Sequence, residues 1–68
     1  MDKKSVIYGA ALLNGLTRDR LQKMSGMPPA TFSRRMKDPD SITIGELRRL
    51  DQLAKFRDDQ LIELVRGK

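Results

Sequence analysis

Gly26 and the pair Pro28-Pro29 interrupt a chain whose pattern is otherwise helical, so residues 17–37 must fold as two short helices with a tight turn between them. Thr17 is a good N-cap for the first of these helices, which carries Leu21 and Met24 on its apolar side and ends near Gly26. A second helix starting at Pro29 gains a preset backbone angle and gives up no hydrogen bond, because first-turn amides have no partner inside a helix. At about 100° per residue from Phe32, Met36 falls near 40° and Pro29 near 60°, whereas Lys37, Ala30 and Arg34 fall near 140°, 160° and 200°. Phe32 and Met36 are therefore the anchors. Ala30, Arg34 and Lys37 form an outward surface, with Thr31, Ser33 and Arg35 on its flanks.

The rest of the chain narrows what this pair of helices serves. Sixty-eight residues allow one domain, 1–68, which buries roughly 60% of its unfolded surface and leaves little room for a deep, water-excluding pocket. Cysteine and histidine are both absent, which removes disulfides, thiolate metal sites and the commonest general base. Asp38 and Asp40 flank Pro39 with no third ligand nearby, so they belong to a turn rather than a metal site. The four methionines read as packing residues. Neither catalysis, a cofactor, a metal nor a small-molecule ligand is expected. The apolar stretch from Val6 to Leu13, broken by Gly9, is too short for a membrane span or a convincing signal peptide, and the expectation is a cytoplasmic, nucleoid-associated protein.

Charge is unevenly distributed. Residues 1–37 carry a net +6 and residues 38–68 a net −1, so the positive half is the one that holds the helix pair. Such asymmetry suits a polyanionic partner, because neutralising phosphates releases condensed counterions.

Along the chain five helical segments and no strand are expected. Ser5 is positioned to cap a first helix that runs to about Asn14, with Val6, Ala10 and Leu13 as its apolar stripe and Ile7 and Leu12 beside them; Gly15 then favours a left-handed stop. After the 17–37 pair, Lys37-Asp38-Pro39-Asp40 forms a loop. Thr43 and Glu46 fit a capping box for a fourth helix burying Ile44, Leu47, Leu50 and Ala54, with Leu53 adjacent and Arg48, Arg49 and Gln52 opposite. A break at Lys55-Phe56-Arg57 leads to a fifth helix from Asp58, buried through Leu61, Leu64 and Val65.

Ala30 through Pro39 and Ile42 through Leu50, within a likeness spanning about Thr17 to Val65, resemble the phage repressor and Cro type of helix-turn-helix protein, especially its small phage-encoded members. The resemblance implies an all-α, compact, five-helix lambda-repressor-like domain that binds operator DNA, usually as a homodimer, to regulate transcription. Carried onto this chain, the first position of the motif falls on Arg18, a phosphate contact or a brace for the second helix. The turn and outer face fall on Pro28, Pro29, Ala30, Ser33, Arg34 and Lys37. Gln22 stands where the family has a small alanine and Ser25 where it has an apolar residue, which implies a shifted helix crossing with Met24 making the contact. Lys55 and Arg57 replace a glycine and a serine in the last turn.

The expected function is sequence-specific binding of double-stranded DNA with the helix 29–37 in the major groove. Arg34 is the candidate for paired hydrogen bonds to guanine, and Ala30 and the Thr31 methyl for packing on a thymine methyl. Arg18, Thr31, Arg35 and Lys37 are candidates for phosphate contacts, with Arg35 alternatively an ion-pair partner and Thr31 alternatively a structural first-turn residue. Lys3 and Lys4 offer looser contacts from the N-terminal arm. One short helix reads few base pairs, so two copies on a pseudo-palindrome with half-sites about 34 Å apart are expected. The alternative is a protein-interaction module, such as an antitoxin or inhibitor, docking through Leu61, Ile62 and Val65. RNA is disfavoured by the lack of an aromatic stacking platform.

Overall fold

Asp2, Thr17, Pro28, Thr43 and Arg57 each take an extended conformation immediately before a helix, and these five starts divide the chain. The computed structural model describes residues 2–67, and within them the fold is all-α. Helix α1 is Lys3–Leu13, α2 Arg18–Ser25, α3 Pro29–Lys37, α4 Ile44–Ala54 and α5 Asp58–Arg66, with a single 3₁₀ turn, Pro39–Ser41, between α3 and α4. Four helices each contribute one fully buried large side chain: Ile7, Leu21, Phe32 and Leu50. Phe56 and Leu64 close the core from the α5 side. Helices α1 and α2 both pack on α4, α5 packs on α1, and α3 reaches the body through α2 and the 3₁₀ turn.

Helix α1 starts earlier than Ser5 would place it. Asp2 is the cap, accepting from the Lys4 amide at 3.4 Å, and the Ser5 hydroxyl donates to the Asp2 carboxylate instead. Its buried face is Val6, Ile7, Ala10 and Ala11, while Leu13 is 81% exposed and Leu12 is exposed beside it. The reason lies in the next residue along that face. Asn14 follows Ala10 by one turn, and its amide donates to the carbonyls of Ala10 at 3.0 Å and Ala54 at 2.7 Å. A polar group therefore joins the ends of α1 and α4 where a leucine stripe was expected, and Gly15, at φ +76°, turns the chain away.

Three other apolar positions expected to be buried also face outward. Met24 is 42% exposed because Ser25 occupies the inward position at the end of α2. Ile44 and Val65, 63% and 64% exposed, line an open groove of about 150 Å³ between α4 and α5 together with Ile42, Leu47 and Leu64. The burial of α4 instead runs through Leu50 and Ala54, with Leu47 and Leu53 half-buried.

Gln22 and Ser25 do not change which residue packs inward so much as they build the turn. The Gln22 amide donates to the Met27 carbonyl at 2.7 Å. The Ser25 hydroxyl donates to the Gln22 carbonyl at 2.6 Å and accepts from the Met27 amide at 3.2 Å. Gly26 takes the left-handed conformation between them, at φ +79°. Replacing Gln22 with alanine leaves the half-buried Met27 carbonyl unpaired, and urea denaturation is expected to show a loss of about 1–2 kcal/mol. A loss below about 0.3 kcal/mol would show that water replaces the amide at no cost.

The last turn forms without a glycine. Lys55 adopts the left-handed conformation at φ 52°, its amide donating to the Asp51 carbonyl at 2.8 Å. Asp51 Oδ1 accepts from the Phe56 amide at 3.2 Å and Gln60 Oε1 from the Arg57 amide at 2.8 Å, so side-chain acceptors hold a backbone that a lysine disfavours. Arg57 itself pairs with Asp59 on the surface.

Candidate functional site

Helix α3 begins at Pro29 with Pro28 as its cap and no capping side chain. Phe32 and Met36 are buried, and the Phe32 ring lies 6.5 Å from that of Tyr8 on α1 at an interplanar angle of 35°. These contacts orient the helix. Pro28, Pro29, Ala30, Arg34 and Lys37 are exposed, and Thr31, Ser33 and Arg35 are half-buried on the flanks. The helix carries no acid, while Arg34, Arg35 and Lys37 crowd its last turn, so its outward face is cationic.

The individual sequence candidates are placed as follows. Arg34 projects outward, with only a long 3.5 Å contact from one guanidinium nitrogen to the Thr31 hydroxyl. Lys37 makes no ion pair among the described residues. Arg18 opens α2 and stands beside the Tyr8 hydroxyl, in a cleft that also touches Ser33 and Lys37. Arg18, Ser33 and Pro29 meet again in a second, smaller depression of about 110 Å³ along α2 and α3. Arg35 faces the other way. Its Nε donates to Glu46 Oε1 at 2.9 Å, so the ion-pair alternative for this residue is realised.

The same Glu46 oxygen accepts from the Thr43 amide at 2.9 Å, and the Thr43 hydroxyl accepts from the Glu46 amide at 3.1 Å. The capping box expected for α4 is thus also the strut that fixes α3 through Arg35. The Thr43 amide holds the Glu46 carboxyl below the usual carboxylate range; burial, the next largest effect, opposes it, and the Arg35 guanidinium adds to the lowering. A carboxyl depressed on folding contributes stability that is complete above its unfolded pKa and disappears as pH falls through the folded value. Comparing wild type with Glu46→Gln by urea denaturation from pH 7 down to pH 2.5, the stability difference is expected to be largest at neutral pH and to vanish in acid. A difference independent of pH would remove the carboxylate from this role.

Arg49 and Lys3 also have specific partners. The Arg49 Nε donates to the Met24 carbonyl at 3.2 Å, capping the C-terminal end of α2, and a second nitrogen reaches Gln52 at 3.2 Å. Lys3 pairs with the Asp40 carboxylate, which ties α1 to the 3₁₀ turn and withdraws Lys3 from the loose contacts expected of it. Asp38 accepts through its carbonyl from the Ser41 amide and hydroxyl, as a turn residue does.

Sequence reasoning missed Tyr8 as a neighbour of the site and expected of Lys4 only looser contacts from the N-terminal arm. Tyr8 and Lys4 lie one turn apart on α1 and share the cleft with Arg18. The spacing from Lys4 to Tyr8 was a readable sign of a common face, but nothing local tied that face to α2 and α3. No family model, curated protein or solved structure matches the chain.

Proposed function

We propose that the domain is a transcriptional regulator of the phage repressor and Cro type, binding double-stranded DNA sequence-specifically with α3 in the major groove. The observation that carries this is the division of α3 into a buried side, Phe32 and Met36, and an acid-free outer side bearing Ala30, Arg34 and Lys37. An exposed helix of that character, held at its base by a side-chain-braced turn, has the shape and charge for groove entry. Arg34 reads a guanine edge. Ala30 and the Thr31 methyl pack against thymine, and Arg18, Ser33 and Lys37 set register on the phosphates. Arg35, committed to Glu46, positions the helix rather than reading a base.

Two copies bind a pseudo-palindromic operator, because one helix of this length reads too few base pairs for useful selectivity. Selection of bound sequences from random duplexes, combined with a mass measurement of the complex, tests the whole scheme. A symmetric site bound by two chains supports it, and recovery of no preferred sequence sinks it.

A protein-interaction module on the same scaffold is the alternative, favoured by the exposure of Ile62 and Val65 on α5 and the apolar groove beside Ile44. A Val65→Ser variant that loses a protein partner while the chain shows no duplex selectivity would replace the DNA-binding function with this one.

A further inference from the structure

Beside the outer face of α3 lies an open cleft of about 330 Å³, lined by Lys4 and Tyr8 of α1, Arg18 of α2, and Ser33, Met36 and Lys37 of α3. Three cations converge there and no carboxylate lines the wall. Among the described residues Lys4, Arg18 and Lys37 make no ion pair, although neighbouring Lys3 and Arg35 are each matched with an acid. Three like charges gathered without a counterion repel one another, and an anion held between them removes that cost. The Tyr8 and Ser33 hydroxyls add neutral donors, so the wall offers a donor set suited to a tetrahedral oxyanion.

The positions of the donors are set by packing. The Tyr8 ring lies against Phe32, the anchor of α3, and its hydroxyl stands beside the Arg18 guanidinium. Burial raises the Tyr8 phenol above its usual range, with Arg18 pulling weakly the other way, so the hydroxyl keeps its proton and can donate. Helices α1, α2 and α3 thus all contribute to one surface beside the outer face of α3.

We infer that this cleft seats a single backbone phosphate of the DNA strand flanking α3, shared by Lys4, Arg18 and Lys37 and hydrogen-bonded by Tyr8 and Ser33. The seat rests on the DNA-binding function proposed above and adds α1 to the interface. Sharing has a measurable signature. Separate contacts would each release their own counterions, whereas three cations around one phosphate release the equivalent of one.

The test is a salt titration of duplex binding for wild type, Lys4→Ala, Lys37→Ala and the triple variant that also carries Arg18→Ala, using the selected operator, with neutral methylphosphonate replacing one phosphate at a time. Lys4 is exposed and alanine favours helix, so the fold survives this change. The logarithmic salt slope is expected to flatten by about 0.9 per half-site for the triple variant, not by about 0.9 for each single one. One methylphosphonate position per half-site should weaken wild type and leave the triple variant nearly unaffected. Tyr8→Phe, which keeps the ring, should weaken binding roughly fivefold with an unchanged thermal midpoint.

If the operator is bound selectively but Lys4→Ala and Tyr8→Phe behave as wild type, the seat is wrong and the DNA-binding function stands. Independent slope losses mapping to different phosphates also overturn the seat. If the wild-type chain selects no duplex, both fall.

Discussion

Alanine at Phe32 is expected to leave much of the domain unfolded at room temperature. Phe32 is 1% exposed and is the largest fully buried side chain, so its removal forfeits transfer free energy and leaves a cavity under α3. A buried Phe→Ala change costs about 3–5 kcal/mol. A chain of 68 residues has a total stability of only about 3–10 kcal/mol, so one side chain consumes a large part of it. Circular dichroism during thermal and urea unfolding would record a midpoint lower by on the order of 20 °C. Met36→Leu, which nearly conserves volume at the neighbouring anchor, should cost less than about 1.5 kcal/mol and serves as the control. A Phe32→Ala protein within about 1 kcal/mol of wild type would mean that α3 is not held by this ring, and the exposure of its outer face would lose its cause.

Arg34→Ala should have the opposite profile, with stability intact and recognition impaired. Arg34 is exposed and touches the fold only through a 3.5 Å contact to Thr31, so the unfolding free energy should move by less than about 0.5 kcal/mol. A bidentate contact to guanine is worth about 1–3 kcal/mol of discrimination, which corresponds to a loss of roughly 5- to 150-fold in preference at one position of each half-site. Repeating the random-duplex selection with the variant reads this directly. The altered base should be a single guanine per half-site, with the remaining positions unchanged. An unaltered base preference would move specificity to Ala30, Thr31 or Ser33, and a uniform loss over all sequences would make Arg34 a phosphate contact.

The two variants separate the two sides of one helix, and both sides are legible in the sequence. Pro29 fixes where the helix can start, and the four-residue interval from Phe32 to Met36 then determines which residues point away from them. Thr17, Gly26 and the Thr43–Glu46 box were readable for the same reason, since each satisfies backbone groups within a few residues of itself. The misjudged positions lie where a helix face is only marginally apolar. Leu13, Met24, Ile44 and Val65 all sit at or beside a plausible stripe, and all are exposed, because Asn14, Ser25, Leu50 and Leu64 hold the inward places. The expectation for Ser5 failed on a smaller point, the presence of Asp2 three residues earlier as an alternative cap.

At the candidate site the division is similar. That Arg18, Ser33, Arg34 and Lys37 are available at the surface follows from their places on two short helices. That Arg35 is not equally available depends on Glu46, eleven residues later, and that Lys3 differs from Lys4 depends on Asp40, thirty-seven residues away. Periodicity places side chains on a face but does not say which distant acid will meet them. Gln22 and Ser25, departures from the resembled pattern, similarly show their purpose only once the Met27 backbone is brought between them.

The amino-acid sequence by itself therefore determined five helices, the starts of α2 to α5, and the two-sidedness of α3, since these depend on interactions among residues a turn or two apart. Tertiary packing alone decided which leucines and isoleucines were covered, which cations were neutralised, and that Lys4, Tyr8, Arg18 and Lys37 border one cleft. Those outcomes require the angle and distance between helices joined by turns, and a helical repeat contains no information about either.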